Sequence, residues 1–267
     1  MPESAEAKRI AELLAEKVSS KKLARVEIIS GRYTKKDPDG FAVFKDVLPI
    51  NIVGAGVHGK FIYMILEGGS SIWSTLGMTG YWAETKTKHS RLALYIDDNV
   101  LYFNDVRNFG TIKFVGDKNE LIKKLQSLGP DMATSNISDD DLKERLMFMR
   151  SNKTIAQAIM DQNVIAGVGN YIKSEALYRA RISPHRLISD LKDEEFSALN
   201  TSIKYIIGKS YNLKSKMTMK DFDNYNDPKY NIEMSVYSQK EDIYGHEVIK
   251  EKTKDGRNTF WVPQVQK

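Results

Sequence analysis

Hydrophobic residues near the start of the chain recur with helical spacing. Ile10, Leu13, Leu14 and Val18 fall at i, i+3, i+4 and i+8, a stripe that a helix buries along one side. Glu6, Lys8, Arg9, Glu12 and Lys17 lie between them and are expected to face outward. From about residue 23 to 115 the pattern shortens. VEIIS, KFIYMIL, SIWSTLGM, RLALYI and VLYFN are brief β-branched or aromatic runs separated by Gly, Asp and Asn, which predicts strands. Asp97-Asp98-Asn99 reads as a hairpin turn between the last two. The expected first domain, 1–131, is a helix followed by a β-sandwich, with 117–128 returning to helix.

The polar stretch 132–138 reads as an interdomain linker. Helical patterns then cover 139–150, 153–161, 168–180 and 192–213, so that 139–232 reads as a helical domain. Residues 214–233 are rich in Lys, Asp, Asn and Tyr and are expected to loop outward. MSVYS, GHEVIKEKT and NTFWVPQV carry strand signals again, and Asp255-Gly256 reads as a hairpin turn. These form a third segment, 233–267. The predicted fold class is α+β.

Composition narrows the function. In 267 residues, 40 Lys+Arg stand against 35 Asp+Glu, a net charge of +5, which is compatible with a polyanionic partner. With no cysteine, disulfides and cysteine-based zinc sites are excluded. His58, His89, His185 and His246 are scattered, so no metal and no cofactor are expected. No apolar run is long enough to span a bilayer, and the N-terminal segment has no signal-peptide core.

Some residues could carry chemistry. Gly167-Val168-Gly169-Asn170 is a tight turn leading into a helical pattern. It is either an ordinary corner between helices or a phosphate cradle, where a helix N-terminus offers unpaired N–H groups and Asn170 adds a donor. The chain begins Met1-Pro2-Glu3. Removal of Met1 leaves a secondary amine that ionises below lysine and is nucleophilic near neutral pH, although Met-Pro starts are common. Lys60 opens a strand, where a lysine is ordinarily a solvated edge residue. Met78 and Phe109 read as core residues or, with glycines beside both, as exposed loop tips.

Taken together these motifs resemble the formamidopyrimidine-DNA glycosylase/endonuclease VIII (Fpg/Nei) family. Met160-Asp161-Gln162, Gly167 to Asn170, Glu175-Ala176-Leu177 and Ile182-Ser183-Pro184 are similar to its helix–two-turns–helix. Pro2, Glu3 and Glu6 match its PELPEVE start, with Ser4 and Ala5 in place of Leu-Pro. Leu76-Gly77-Met78-Thr79-Gly80 is similar to LGMSG, and Asp105-Val106-Arg107-Asn108-Phe109-Gly110 to DPRRFG, with Asn108 where the family has a second arginine. The cysteine-free end, with Arg257 beside its turn, resembles the zincless finger of the endonuclease VIII-like branch found in vertebrates and large DNA viruses.

The resemblance implies a bifunctional DNA glycosylase/AP lyase of base excision repair, acting mainly on oxidised pyrimidines and hydantoins with β,δ-elimination. Pro2 is then the nucleophile and Glu3 its acid/base partner; Lys60 and Arg257 assist catalysis. His89, Lys153, Asn170 and Arg257 contact DNA, and Met78, Arg107 and Phe109 fill the void left by a flipped base. The implied partner is double-stranded DNA with oxidised bases or abasic sites, the implied state a monomer without membrane association. The compartment is left open beyond one that holds DNA, such as a nucleus or a cytoplasmic viral factory. Fpg-like excision of oxidised purines and a non-catalytic binder of damaged DNA are the alternatives.

Overall fold

A computed structural model describes residues 2–149, 152–224 and 227–267. The chain forms two compact units, Met1–Ser127 with Leu213–Tyr230, and Leu128–Asn212 with Asn231–Lys267.

The first unit opens with α1 (Ser4–Val18), β1 (Lys21–Ile28) and the short α2 (Phe41–Phe44). Then come β2 (Ile50–His58), β3 (Phe61–Leu66), β4 (Ser71–Thr75), β5 (Gly80–Ala83), β6 (Ser90–Ile96), β7 (Asn99–Asp105), β8 (Thr111–Val115) and α3 (Lys118–Ser127). The strands pair antiparallel in the order β5-β7-β6-β1-β2-β3-β4-β8. The sheet folds back on itself: the indole N–H of Trp82 in β5 donates to Ser74 Oγ in β4, near the other end of the order, at 3.1 Å. Alternating inward residues such as Ile62, Met64, Leu92 and Leu94 share one core with Ile10, Leu14 and Val18 of α1, as the two periodicities require.

Two details depart from the outward faces and loops that composition suggests. Glu6 is buried, because its carboxylate caps the first turn of its own helix. Residues 214–233 do not simply loop out: Met217, Met219 and Phe222 join the α1 core, and the Arg9 guanidinium donates twice to the Met217 carbonyl, at 2.9 and 2.8 Å.

The second unit contains α4 (Asp139–Met147), α5 (Ile155–Met160), α6 (Asn170–Arg179) and α7 (Asp193–Lys214), whose last residues belong to the first unit. It ends in a hairpin of β9 (Ile249–Lys252) and β10 (Asn258–Trp261). MSVYS does not form a strand. The N–H groups of Ser235, Val236 and Tyr237 instead converge on the Glu175 carboxylate at 2.8, 2.8 and 2.7 Å, which removes the donors a ladder would need. Among the described residues no helix is long and apolar enough to cross a membrane.

Candidate active site and nucleic-acid interface

Pro2 and Glu3 sit buried at the N-terminal end of α1. Glu3 is the N-cap residue, and its backbone N–H donates to Glu6 Oε2 at 2.9 Å. Glu6 Oε1 in turn lies 4.0 Å from Lys214 Nζ, with both side chains buried. Burial pulls the Lys214 ammonium below the ordinary lysine range, and the Glu6 carboxylate opposes that shift. A carboxylate and an ammonium thus back the turn that carries Pro2 and Glu3. Met1, whose removal would free the Pro2 nitrogen, lies outside the described residues. Lys60 is half-buried in the two-residue turn between β2 and β3, where Gly59 adopts φ +60° and His58 pairs with Phe61. The positive φ and two-residue length are those of a tight hairpin turn.

The two glycine-containing loops meet. A Cβ on Gly77 (φ +59°) would lie 2.7 Å from Gly110 N and 2.8 Å from the Phe109 carbonyl carbon, so only glycine lets the loops approach this closely. Between them lies the buried Asp105. Its Oδ1 accepts from the Thr79 hydroxyl at 2.5 Å and from Arg107 N at 3.2 Å, and its Oδ2 from Gly110 N at 2.7 Å. Arg107 N also donates to Thr79 Oγ1, and Arg32 donates to the Gly110 carbonyl. Arg107 and Phe109 are left exposed, with the guanidinium 5.1 Å from the ring centroid; Met78 is half-buried. His89 stands beside this assembly, half-buried, with its carbonyl accepting from Asp105 N at 2.9 Å. Met78, His89, Arg107 and Phe109 are therefore brought together, while Lys60 occupies a different turn of the same unit.

In the second unit Gln162 shapes the turn before α6. Its amide donates to the Met160 and Val168 carbonyls, and its oxygen accepts from Gly167 N, each at 3.0 Å. Gly167 takes φ +103°, which again favours glycine. Asn170, the first residue of α6, is 8% exposed and donates to the Asn258 carbonyl of the hairpin at 2.8 Å. Its side-chain oxygen is buried and, among the described residues, has no hydrogen-bond partner. Lys153 is half-buried ahead of the Thr154 N-cap of α5, and Gln157 of that helix reaches the Lys254 carbonyl. Arg257 is exposed at the hairpin turn. The turn is closed by Thr253 N to Arg257 O and Gly256 N to Thr253 O, with Gly256 at φ +78°.

Sequence reading did not single out Lys173, fully buried in α6 and paired at 2.6 Å with Asp255 of that turn. A lysine three residues after Asn170, on the helix face that Asn170 and Ser174 share, is the signal that points to it. In the family that the sequence resembles, fingers that hold zinc use four cysteines. Here there are none, and among the described residues no group of three or more His, Cys, Asp or Glu could hold a metal. The hairpin interior instead contains the Lys173 ammonium and the Thr253 and Thr259 hydroxyls, 2.6 Å apart. This donor set does not fit zinc.

Comparison with known proteins agrees with this arrangement. Residues 1–112 match the formamidopyrimidine-DNA glycosylase N-terminal domain, and residues 128–222 the formamidopyrimidine-DNA glycosylase H2TH domain. The formamidopyrimidine-DNA glycosylase of Halalkalibacterium halodurans is 30% identical over 253 residues, covering 92% of this chain and 89% of that protein. The crystal structure of the MutM (Fpg) protein from Thermus thermophilus superposes with TM-score 0.80 at 26% identity, covering 99% and 98% of the two chains. The Lactococcus lactis enzyme, bound non-covalently to DNA with an abasic site, has the same fold, with TM-score 0.82 at 23% identity and full coverage of both chains. The chain belongs to the formamidopyrimidine-DNA glycosylase family, whose members are DNA glycosylases and AP lyases that remove oxidised bases.

Proposed function

We propose that this protein is a bifunctional DNA glycosylase/AP lyase that excises oxidised bases, chiefly pyrimidines and hydantoins, from duplex DNA by proline chemistry. The observation that carries the reading is the buried Pro2-Glu3 pair at the start of α1, with the Glu3 backbone held by Glu6. With Met1 removed, the Pro2 amine attacks C1′ of an extruded nucleotide. The C1′–N bond breaks and the base leaves after taking up a proton. Pro2 loses its own proton, Glu3 protonates O4′ as the sugar ring opens, and a C1′ iminium results. That iminium accepts the electron pair released when the C2′ proton is removed, so the 3′ phosphate leaves. A second elimination expels the 5′ phosphate, and water then frees the sugar remnant from Pro2.

In this reading Lys60 and Arg257 assist catalysis, and His89, Lys153, Asn170 and Arg257 hold DNA phosphates without reading sequence. Met78, Arg107 and Phe109 fill the vacated stack. Segment 1–131 carries the chemistry, 139–232 and 233–267 grip the duplex, and 132–138 links them. Borohydride should trap a protein–DNA adduct with processed enzyme, and Pro2→Thr should abolish it; an adduct that persists removes Pro2 from the mechanism. Intact mass decides whether the Pro2 nitrogen is free.

A second reading, excision of oxidised purines, draws support from the relatives, whose names refer to a ring-opened purine. Single-lesion duplexes separate the two. Strong excision of 8-oxoguanine opposite cytosine with no thymine-glycol activity decides for purines.

A further inference from the structure

The hairpin that carries Arg257 rests on one face of α6. Asn170 donates to the Asn258 carbonyl at 2.8 Å, Lys173 pairs with Asp255 at 2.6 Å, and Ser174 Oγ accepts from Phe260 N at 3.3 Å. These helix residues stand at i, i+3 and i+4, the spacing that places side chains above one another on a helix. Lys173 is the charged member of the stripe and is 0% exposed; the Asp255 side chain is 4% exposed.

Asp255 links that charge to the turn. Its Oδ2 takes the Lys173 ammonium, while its Oδ1 accepts the Thr253 hydroxyl at 2.5 Å and Arg257 N at 3.4 Å. Thr253 Oγ1 also meets Thr259 Oγ1 at 2.6 Å across the hairpin. An ion pair buried this deeply is a weak source of net stability, because desolvation offsets the attraction. Its strong effect is geometric: opposite charges buried 2.6 Å apart hold the turn in one register against the helix.

We propose that Lys173 is a positioning residue which, through Asp255, locks the hairpin turn onto α6 and aims Arg257 at the DNA, the ordering task that a bound metal performs in a cysteine finger. The DNA-facing half of this inference rests on the role proposed for Arg257; the locking half does not.

Lys173→Met, Asp255→Asn and Lys173→Arg in the full chain, each with and without Arg257→Ala, test it. The readouts are amide hydrogen exchange over 249–261, Trp261 fluorescence, and single-turnover cleavage of an abasic-site duplex. Lys173→Met and Asp255→Asn should speed exchange of the hairpin amides by tenfold or more while α1 and the sheet of the first unit keep their protection. Cleavage should fall about as far as in Arg257→Ala. Combining Lys173→Met with Arg257→Ala should add little, and Lys173→Arg should restore most of both signals. Unchanged hairpin exchange in Lys173→Met and in Asp255→Asn overturns the lock. An Arg257→Ala effect that is as large in the Lys173→Met background as in the wild type overturns the aiming. If Arg257→Ala alone leaves cleavage unchanged, the Arg257 role fails by itself and hydrogen exchange still decides the lock.

Discussion

Two exposed arginines, Arg107 in the first unit and Arg257 in the second, are presented by loops built on a buried aspartate side chain, and the two aspartates are satisfied in opposite ways. Among the described residues the Asp105 carboxylate accepts neutral donors, a threonine hydroxyl and two backbone N–H groups, all from the loops it holds. Asp255 accepts a threonine hydroxyl of its own turn and also an ammonium 82 residues away. Neutral dipoles satisfy the Asp105 carboxylate locally, since its donors are close along the chain or across one strand pairing, while the Arg32 and Arg91 guanidiniums hold the loop carbonyls from other elements. The second turn supplies the Thr253 hydroxyl and the Arg257 N–H to one oxygen of Asp255, and the other oxygen takes its donor from the helix beneath it. Loss of the first carboxylate leaves neutral donors behind; loss of the second leaves a buried ammonium without that carboxylate.

Removing each carboxylate tests that contrast. Asp255→Ala leaves the Lys173 ammonium buried without its carboxylate, and breaking a buried pair in this way costs roughly 3–5 kcal/mol. Urea unfolding of the full chain should show that loss. Replacing both members by Met and Leu should recover much of it, because apolar pairs of similar volume are well tolerated there. Asp105→Ala strands only neutral donors, at a cost of roughly 1–3 kcal/mol. A larger loss for Asp105→Ala than for Asp255→Ala in the same urea series would reverse the contrast.

A third aspartate combines both modes. Burial pushes Asp242 upward, but the His246 ring, the N–H groups of His246 and Tyr244, and the Tyr178 hydroxyl outweigh it and hold the carboxyl at about 2. A folded-state value below the unfolded one means that the stabilisation is present above the unfolded aspartate value of about 4 and is lost as pH falls through about 2. Acid unfolding followed by tyrosine fluorescence should show this component, and Asp242→Asn should flatten it. A wild-type acid limb identical to that of Asp242→Asn would contradict the assignment. The smallest stability effect is expected at the tip itself. Phe109 is 55% exposed, so Phe109→Ala should change unfolding by less than about 0.5 kcal/mol while slowing excision from duplex DNA. An equal slowing on a single-stranded lesion would argue against a void-filling role.

Much of this architecture was legible in the residue pattern. The period of Ile10, Leu13, Leu14 and Val18 gives α1, and the β-branched and aromatic runs give β1, β3, β4, β6 and β7, because burial imposes such patterns locally. β2, β5 and β8 fall outside those runs. The predicted last helix, 192–213, lies within one residue of α7 at either end. Segments whose partners are distant were misread. Glu6 reads as solvated from its place between the apolar positions; its cap on the Glu3 N–H is local, but its burial beside the distant Lys214 is not visible in the sequence. MSVYS looked like a strand because its composition suits one, and Glu175, about 60 residues earlier, takes its N–H groups.

Local composition therefore determined by itself most element types, the tight turns at Gly167 and Gly256, the absence of a cysteine-bound metal, and the order of motifs that marks the family. Those properties depend on backbone sterics and on which atoms a side chain owns. Lys60, which the sequence places at the start of a strand, lies instead in the turn before it. Tertiary structure alone decided which buried charges meet: Glu6 with Lys214, Asp105 with two loops, and Lys173 with Asp255. The physical reason is desolvation. A carboxylate or an ammonium is removed from water only where the fold supplies a partner within a few ångströms, and a linear sequence does not say which distant residue that will be.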